Sequence, residues 1–226
     1  LRLRPVARAT LLLEGLLVDT QRRRTGIATE LVGRALAQAR EQGADQVRMV
    51  GADDAFAGLA TKVGFRSAVD ARRWRASRLE GEEPARLGGR EEAEGLLRMV
   101  AGTPGFTAYA RRLAGPDEGR DLDATTLRER AERGLVRVGP GGRALAVLLD
   151  GEDRVQVGFL GGHEAPLRTL AEQLRFEADL HDVSEVSLWL PETHPAAPVL
   201  EGAGYRRDVA PRLALYDLDL TNGPAQ

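Results

Sequence analysis

Three consecutive arginines, Arg22 to Arg24, stand directly before Thr25, Gly26, Ile27, Ala28 and Thr29 in the stretch QRRRTGIATEL at 21–31. Like charges repel, and a helix N-terminus already carries partial positive charge, so the arrangement makes electrostatic sense only around something anionic. At a strand-to-helix junction the first backbone N–H groups lack helical partners and point outward. Glycine at 26 removes the Cβ that would hold a bulky anion away, and Ala28 keeps the first helical turn uncrowded. The arginines add charge and can grip phosphate at two points. The chemistry predicted is an anion cradle, of a size that suits a diphosphate.

A second candidate lies just upstream. Thr10–Asp19 (TLLLEGLLVD) is apolar apart from Glu14 and the terminal residues, and reads as a mostly buried strand. Glu14 stands four residues from Val18, on the same face of a regular strand. A carboxylate among leucines should have a raised pKa, as a general base needs. The competing expectation is that Glu14 faces solvent or another side chain. His163, His194 and Asp54 show neither a ligand cluster nor paired-histidine helical spacing, so no metal is expected. Trp74 and Trp189 read as packing residues, and Arg72, Arg73 and Arg75 as a solvated face.

The elements around the loop follow from periodicity. Leu1–Val6 alternates apolar and charged residues, as a short strand does. Ile27, Leu31, Ala35, Leu36 and Ala39 keep helical spacing until Gly43 stops the helix. Gln46–Val50 reads as a strand, GADDA as a turn, and the alanine-rich stretch to about Val63 as a helix ended by Gly64–Phe65. Strand, helix, strand, helix is an α/β order in which the strands before and after the first helix run parallel. Residues 80–95, charged and glycine-rich, read as a linker.

Beyond it the order recurs. Arg154–Gly161 reads as a strand, Leu167–Leu180 as a helix with Leu170, Leu174 and Ala178 on one face, and Glu185–Leu190 as a strand. Pro195–Leu200 is a short segment leading to Gly204–Tyr205. Residues 46–66 and 185–206 run side by side at an offset of about 140, closing on Gly-Phe-Arg and Gly-Tyr-Arg. A tandem repeat of one fold is predicted, with domains at 1–77 and 78–226.

Composition narrows the function. The chain has 226 residues, no cysteine and no apolar run long enough to span a bilayer, and no secretory leader is visible. A cytoplasmic setting is expected, without disulfides, thiolate metal sites or membrane insertion. Lys62 is the only lysine, which reads as a composition bias toward arginine. Residues 1–77 hold 14 basic against 8 acidic side chains, whereas the remainder is acidic. A basic first part suits an anionic small molecule, and the acidic remainder argues against nucleic acid wrapping the protein.

A Rossmann fingerprint needs three glycines and a P-loop needs G-K-[ST]; neither is present. The pattern [Q/R]-x-x-G-x-[G/A] at 23–28, Val18 five positions ahead of Arg23, and VGFR at 63–66 together resemble the GNAT N-acetyltransferase superfamily. The resemblance implies a GNAT-like mixed sheet flanked by helices, in two tandem copies, of α/β (α+β) class. Strand 11–19 would be the family's fourth and the helix from Gly26 its third, with Leu1–Val6 the third strand. The family's first strands and helices should then precede Leu1 and are absent from this chain. The backbone at Leu17 and Val18 would meet the acetyl and pantetheine part of acetyl-CoA. Arg23, Arg24, Thr25, Gly26, Ile27, Ala28 and Thr29 would hold its diphosphate.

The resemblance also implies the reaction: direct transfer of acetyl from acetyl-CoA to an amine on a small molecule or peptide, with no metal and no nucleic acid. Glu14 is the candidate base. The family's frequent tyrosine acid is replaced here by Ala60, and its frequent asparagine by Asp53. That favours an alternative, a non-catalytic acyl-CoA-binding module. In the second copy GHEAPLRTL replaces the arginine loop, so that copy is expected not to bind the cofactor. An unpaired half-domain should seek a partner, which allows a homodimer.

Overall fold

The computed structural model describes residues 1–51, 54–81, 83–116, 118–151 and 155–221. Asp53, and Arg154 at the expected start of a strand, lie outside the described residues. In chain order the elements are β1 (Arg2–Ala7), β2 (Thr10–Glu14), α1 (Ile27–Glu41), β3 (Gln46–Gly51), α2 (Asp54–Lys62) and β4 (Arg66–Ser77). There follow β5 (Arg86–Leu87), α3 (Ala93–Ala101), α4 (Pro104–Ala108), α5 (Ala124–Glu132), β6 (Val136–Val138), β7 (Ala144–Leu148) and β8 (Val155–Gly162). Last come α6 (Glu164–Leu180), β9 (Glu185–Pro191), α7 (Ala197–Gly202) and β10 (Arg206–Asp219).

Two compact units result, and they do not divide the chain at 77/78. The first is Leu1–Asp70 with Leu213–Gln226; the second is Ala71–Arg212. In the first unit β1 pairs antiparallel with β2, β2 parallel with β3, and β3 antiparallel with the last part of β10 (Ala214 opposite Gly51, Asp219 opposite Gln46). The expected parallel pair on either side of α1 is therefore present. Val32, Ala35, Leu36 and Ala39 of α1 are buried on Leu11, Leu13, Val47 and Met49 of the sheet. Burying each such side chain is worth roughly 1.5–3 kcal/mol, less for alanine, which holds the helix on this face.

The second unit is also a mixed sheet with helices. Antiparallel pairing joins β5, β6, β7 and β8 in turn; β8 runs parallel to β9, and β9 antiparallel to β4 (Ala71 opposite Pro191, Ser77 opposite Glu185). Leu167, Leu170, Leu174 and Ala178 of α6 pack on Val157, Leu160, Val186, Leu188 and Leu190. The arginine run of β4 is paired: Arg72 with Glu192, Arg73 with Asp208, and Arg75 with Asp208 and Glu185.

Two expectations are corrected. Residues 80–95 are not merely a linker: Glu92 accepts from the Gly89 amide at 2.9 Å and pairs with Arg86 at 2.8 Å, and α3 begins at Ala93. Arg90 pairs with Glu132, and Glu94 with Arg128 of α5. Strand 10–19 stops at Glu14, because Gly15 takes a left-handed φ of +72° and turns the chain out of the sheet.

Helix ends recur along the chain. Phe65 N–H donates to Ala60 O and Tyr205 N–H to Leu200 O, each at 2.9 Å. The preceding glycines, Gly64 and Gly204, have φ of +93° and +86°. Ala44 N–H to Ala39 O and Val183 N–H to Ala178 O close α1 and α6 alike. A glycine-type cap of this kind satisfies the last helical carbonyls and buries the aromatic that follows.

Candidate functional site

The chain that leaves β2 at Gly15 runs past Leu16, Leu17 and Val18 without strand pairing and enters a single 3-10 turn at Thr20–Arg22. Asp19 starts that turn by accepting from the Gln21 amide at 2.8 Å. The Thr25 hydroxyl donates to Arg22 O at 2.7 Å and tightens the loop. Arg24 and Gly26 then take left-handed φ values of 65° and 90°. For glycine that is easy; for arginine it costs about 1–2 kcal/mol.

Helix α1 starts at Ile27 with no side-chain cap, and its first helical amide bond is Glu30 N–H to Gly26 O at 3.0 Å. The amides of Ile27, Ala28 and Thr29 therefore have no partner in the helix. A Cβ on Gly26 would meet nothing within 4 Å. The space beside it is a cavity of about 600 Å³. One wall is Leu16, Leu17 and Val18; the second is Arg22, Arg23, Arg24, Gly26, Ile27, Ala28 and Thr29; the third is Ala55, Phe56, Gly58, Leu59 and Lys62 of α2. Arg23 Nε reaches Val18 O at 3.4 Å, whereas the side chains of Arg22 and Arg24 make no hydrogen bond or ion pair among the described residues. Unpaired guanidinium groups, free amides and a bare glycine converge on one space. Such a seat fits a diphosphate, and the apolar walls beside it fit an uncharged arm.

The cavity thus gathers Leu17, Val18, Arg23, Arg24, Gly26, Ile27, Ala28 and Thr29 from the sequence-predicted set. Thr25 and Glu14 are not in its lining. Leu16 and the α2 wall were missed by sequence, whereas Arg22, the first arginine of the loop, joins Arg23 and Arg24 in the lining. The predicted raised pKa of Glu14 is overturned. Burial pushes its carboxyl up, but hydrogen bonds and charge from Arg4 and Arg2 outweigh that and hold it below the usual carboxylate range. Arg2 Nη2 lies 2.7 Å from Glu14 Oε2, and Arg4 Nε bonds the other oxygen. Because Gly15 ends the strand, alternation no longer links Glu14 to Val18.

Parallel pairing of β2 with β3 ends at Leu13 and Met49, and that of β8 with β9 at Val157 and Leu188. Beyond Val157 the two strands of the second unit are bridged by side chains. His194 occupies the space beside Leu160 O at 3.0 Å, and the Tyr109 hydroxyl donates to Trp189 O at 2.8 Å. Both are buried, and their rings pack edge to face with centroids 5.5 Å apart. The helix after β8 has no arginine loop: its cleft of about 430 Å³ is lined by Glu164, Ala165, Arg168, Pro198, Val199 and Gly202. Arg168 there is engaged by Glu172 and by Gly202 O, each at 3.3 Å.

Among the described residues no three His, Cys, Asp or Glu side chains gather as metal ligands, and no helix is long and apolar enough to cross a membrane.

Residues 1–65 match the model of the Acetyltransferase (GNAT) family. Among solved structures, the chain is similar to a GCN5-related N-acetyltransferase from Sphaerobacter thermophilus, with a TM-score of 0.61 and 14% identity over 96% of this chain and 75% of that one. It is also similar to a tandem GNAT protein from the clavulanic acid biosynthesis pathway, with a TM-score of 0.59 and 14% identity over 96% of this chain and 77% of that one. No curated protein matches the sequence. The likeness is one of fold: mixed sheets flanked by helices, as in GNAT proteins, which is the class expected from the sequence.

Proposed function

We propose that the first unit binds acetyl-CoA in the cavity at Gly26 and transfers its acetyl group to an amine of a small molecule or peptide. One observation carries this: free amides of Ile27, Ala28 and Thr29, the bare Gly26 and the unpaired Arg22 and Arg24 all face one cavity inside the segment that matches the GNAT family. Bound there, acetyl-CoA supplies an acetyl thioester activated for attack by an amine. The loop and helix start hold the diphosphate. The backbone at Leu17 and Val18, released from the sheet by Gly15, bonds the pantetheine arm, which takes the place of the 3.4 Å contact from Arg23 Nε to Val18 O. Leu16, Phe56 and Leu59 exclude water from it.

Glu14 is not assigned as the base, since Arg2 and Arg4 hold it ionised and it stands outside the cavity lining. Ala60 is fully buried and brings no proton to a leaving thiolate, so solvent supplies it. The same feature favours a second function, an acyl-CoA-binding module without turnover. The second unit is read as a further GNAT-like copy, on the strength of its matching helix caps about 140 residues on. Its cleft, with bridged strands and no arginine loop, is not assigned to acetyl-CoA.

Calorimetric titration with acetyl-CoA, followed by thiol release over a panel of amines, tests this. Binding with turnover supports the enzyme, binding without turnover on any amine supports the module, and no binding overturns both. Gly26→Asp places a carboxylate in the diphosphate seat and should abolish binding while the chain stays folded, since Asp tolerates left-handed φ.

A further inference from the structure

Helix α2 carries a glycine that neither its backbone nor its neighbours require. Gly58 lies inside Asp54–Lys62, its φ is not positive, and a Cβ built on it meets no atom within 4 Å among the described residues. Glycine inside a helix is less favourable than alanine, because the unfolded chain has more freedom to lose. Gly51 and Gly64 of the same unit show their reasons. A Cβ at Gly51 would lie 1.9 Å from Phe56 Cδ1, and Gly64 takes a φ of +93°. Gly58 has neither reason, but it does have a place. It is exposed, it lines the cavity, and Ala55, Leu59 and Lys62 stand with it on one stripe of the helix. The cavity wall is therefore bare backbone between a small residue and the chain's one lysine, whose side chain makes no hydrogen bond or ion pair among the described residues.

We infer that Gly58 is a ligand-contact residue: the ligand of the Gly26 cavity packs directly on the α2 backbone, and the absent methyl group makes room for it. The inference rests on the proposed function and adds a residue to it. Its consequence is a conflict of signs. A Cβ at 58 has space in the free protein, so alanine there strengthens the helix. The same methyl occupies volume that the ligand needs. Bareness by itself does not single out Gly58, because Gly33 in α1 shares it. Gly33 is exposed and stands outside the cavity lining, which makes it the matched control.

Thermal unfolding and calorimetric titration with acetyl-CoA on wild type, Gly58→Ala, Gly58→Leu and Gly33→Ala test this. Both alanine variants should raise the unfolding midpoint, by about 2–4 °C each. Affinity for acetyl-CoA should fall in Gly58→Ala, fall by about tenfold or more in Gly58→Leu, and stay unchanged in Gly33→Ala. Wild-type affinity retained in Gly58→Leu overturns this inference alone and leaves the proposed function standing. An equal loss of affinity in Gly33→Ala does the same, because the effect is then not local to the cavity. No acetyl-CoA binding by the wild-type protein overturns the proposed function and this inference together. Should Gly58→Leu fail to fold, Gly58→Ala carries the test by itself: unchanged affinity overturns the inference.

Discussion

His194 donates its Nε2 proton to the carbonyl oxygen of Leu160, 3.0 Å away, while its Nδ1 accepts from the Ala196 amide at 3.0 Å. The amide must be the donor, which fixes the tautomer and makes the ring neutral. This histidine lies between β8 and β9 past the end of their pairing, so it does for Leu160 what a neighbouring strand would have done. Neither ring nitrogen is left to work on a substrate, and burial opposes a second proton. The residue is part of the framework.

Acid should therefore unfold the second unit through His194. Burial pushes its pKa down from 6.5 to about 4, with the bond to Leu160 opposing in part. A depressed folded value favours the neutral form. The stability it brings is complete above about pH 6.5 and is lost as pH falls toward about 4, amounting to about 3 kcal/mol. Urea midpoints between pH 7 and 4 measure this. A His194→Gln variant should be less stable at pH 7 and lose less on acidification; an equally steep acid slope would show that other groups drive it.

A buried ion pair should matter more to the same unit than the many exposed ones. Arg137 Nε lies 2.6 and 2.7 Å from the two Glu177 oxygens, and both residues are buried. Glu177→Ala strands a buried guanidinium and should cost about 3–5 kcal/mol. Replacing both residues together, Arg137→Met with Glu177→Leu, should recover most of that. A double-mutant cycle by chemical denaturation decides it, and additive losses would mean the pair is not coupled.

Much of this was open to reading in the sequence. The helical spacing from Ile27 to Ala39 and the Gly-aromatic closures at 64–65 and 204–205 are local signals, and local sterics produce them. Leu16, and the departure of Leu17 and Val18 from the strand, were hidden for a physical reason. An apolar run looks the same whether its side chains fill a core or line a cavity, and only the turn at Gly15 separates the two cases. Leu17 is 83% exposed, an odd fate for a strand leucine but an ordinary one for a residue beside a ligand space. The unit boundary was hidden as well. Residues 214–219 pair with β3, far away in sequence, and no periodicity within β10 names that partner. Glu14 misled because its two arginines are cross-strand neighbours on β1, visible only once the register of Arg2 with Glu14 is known.

Arg24 offers the sharpest separation of stability from binding in the loop itself. It is a non-glycine residue at φ 65°, with a side chain that makes no bond among the described residues. Strain without a structural return is expected where a side chain serves a ligand. Arg24→Gly removes the Cβ and relieves the backbone, so unfolding free energy should rise by about 1 kcal/mol. The same change removes a cation from the diphosphate seat and should weaken acetyl-CoA binding about tenfold, most clearly at low salt. Titrations at two ionic strengths, paired with denaturation curves, read both effects on the same protein. Unchanged affinity would remove Arg24 from the seat and leave its backbone strain without a ligand to explain it.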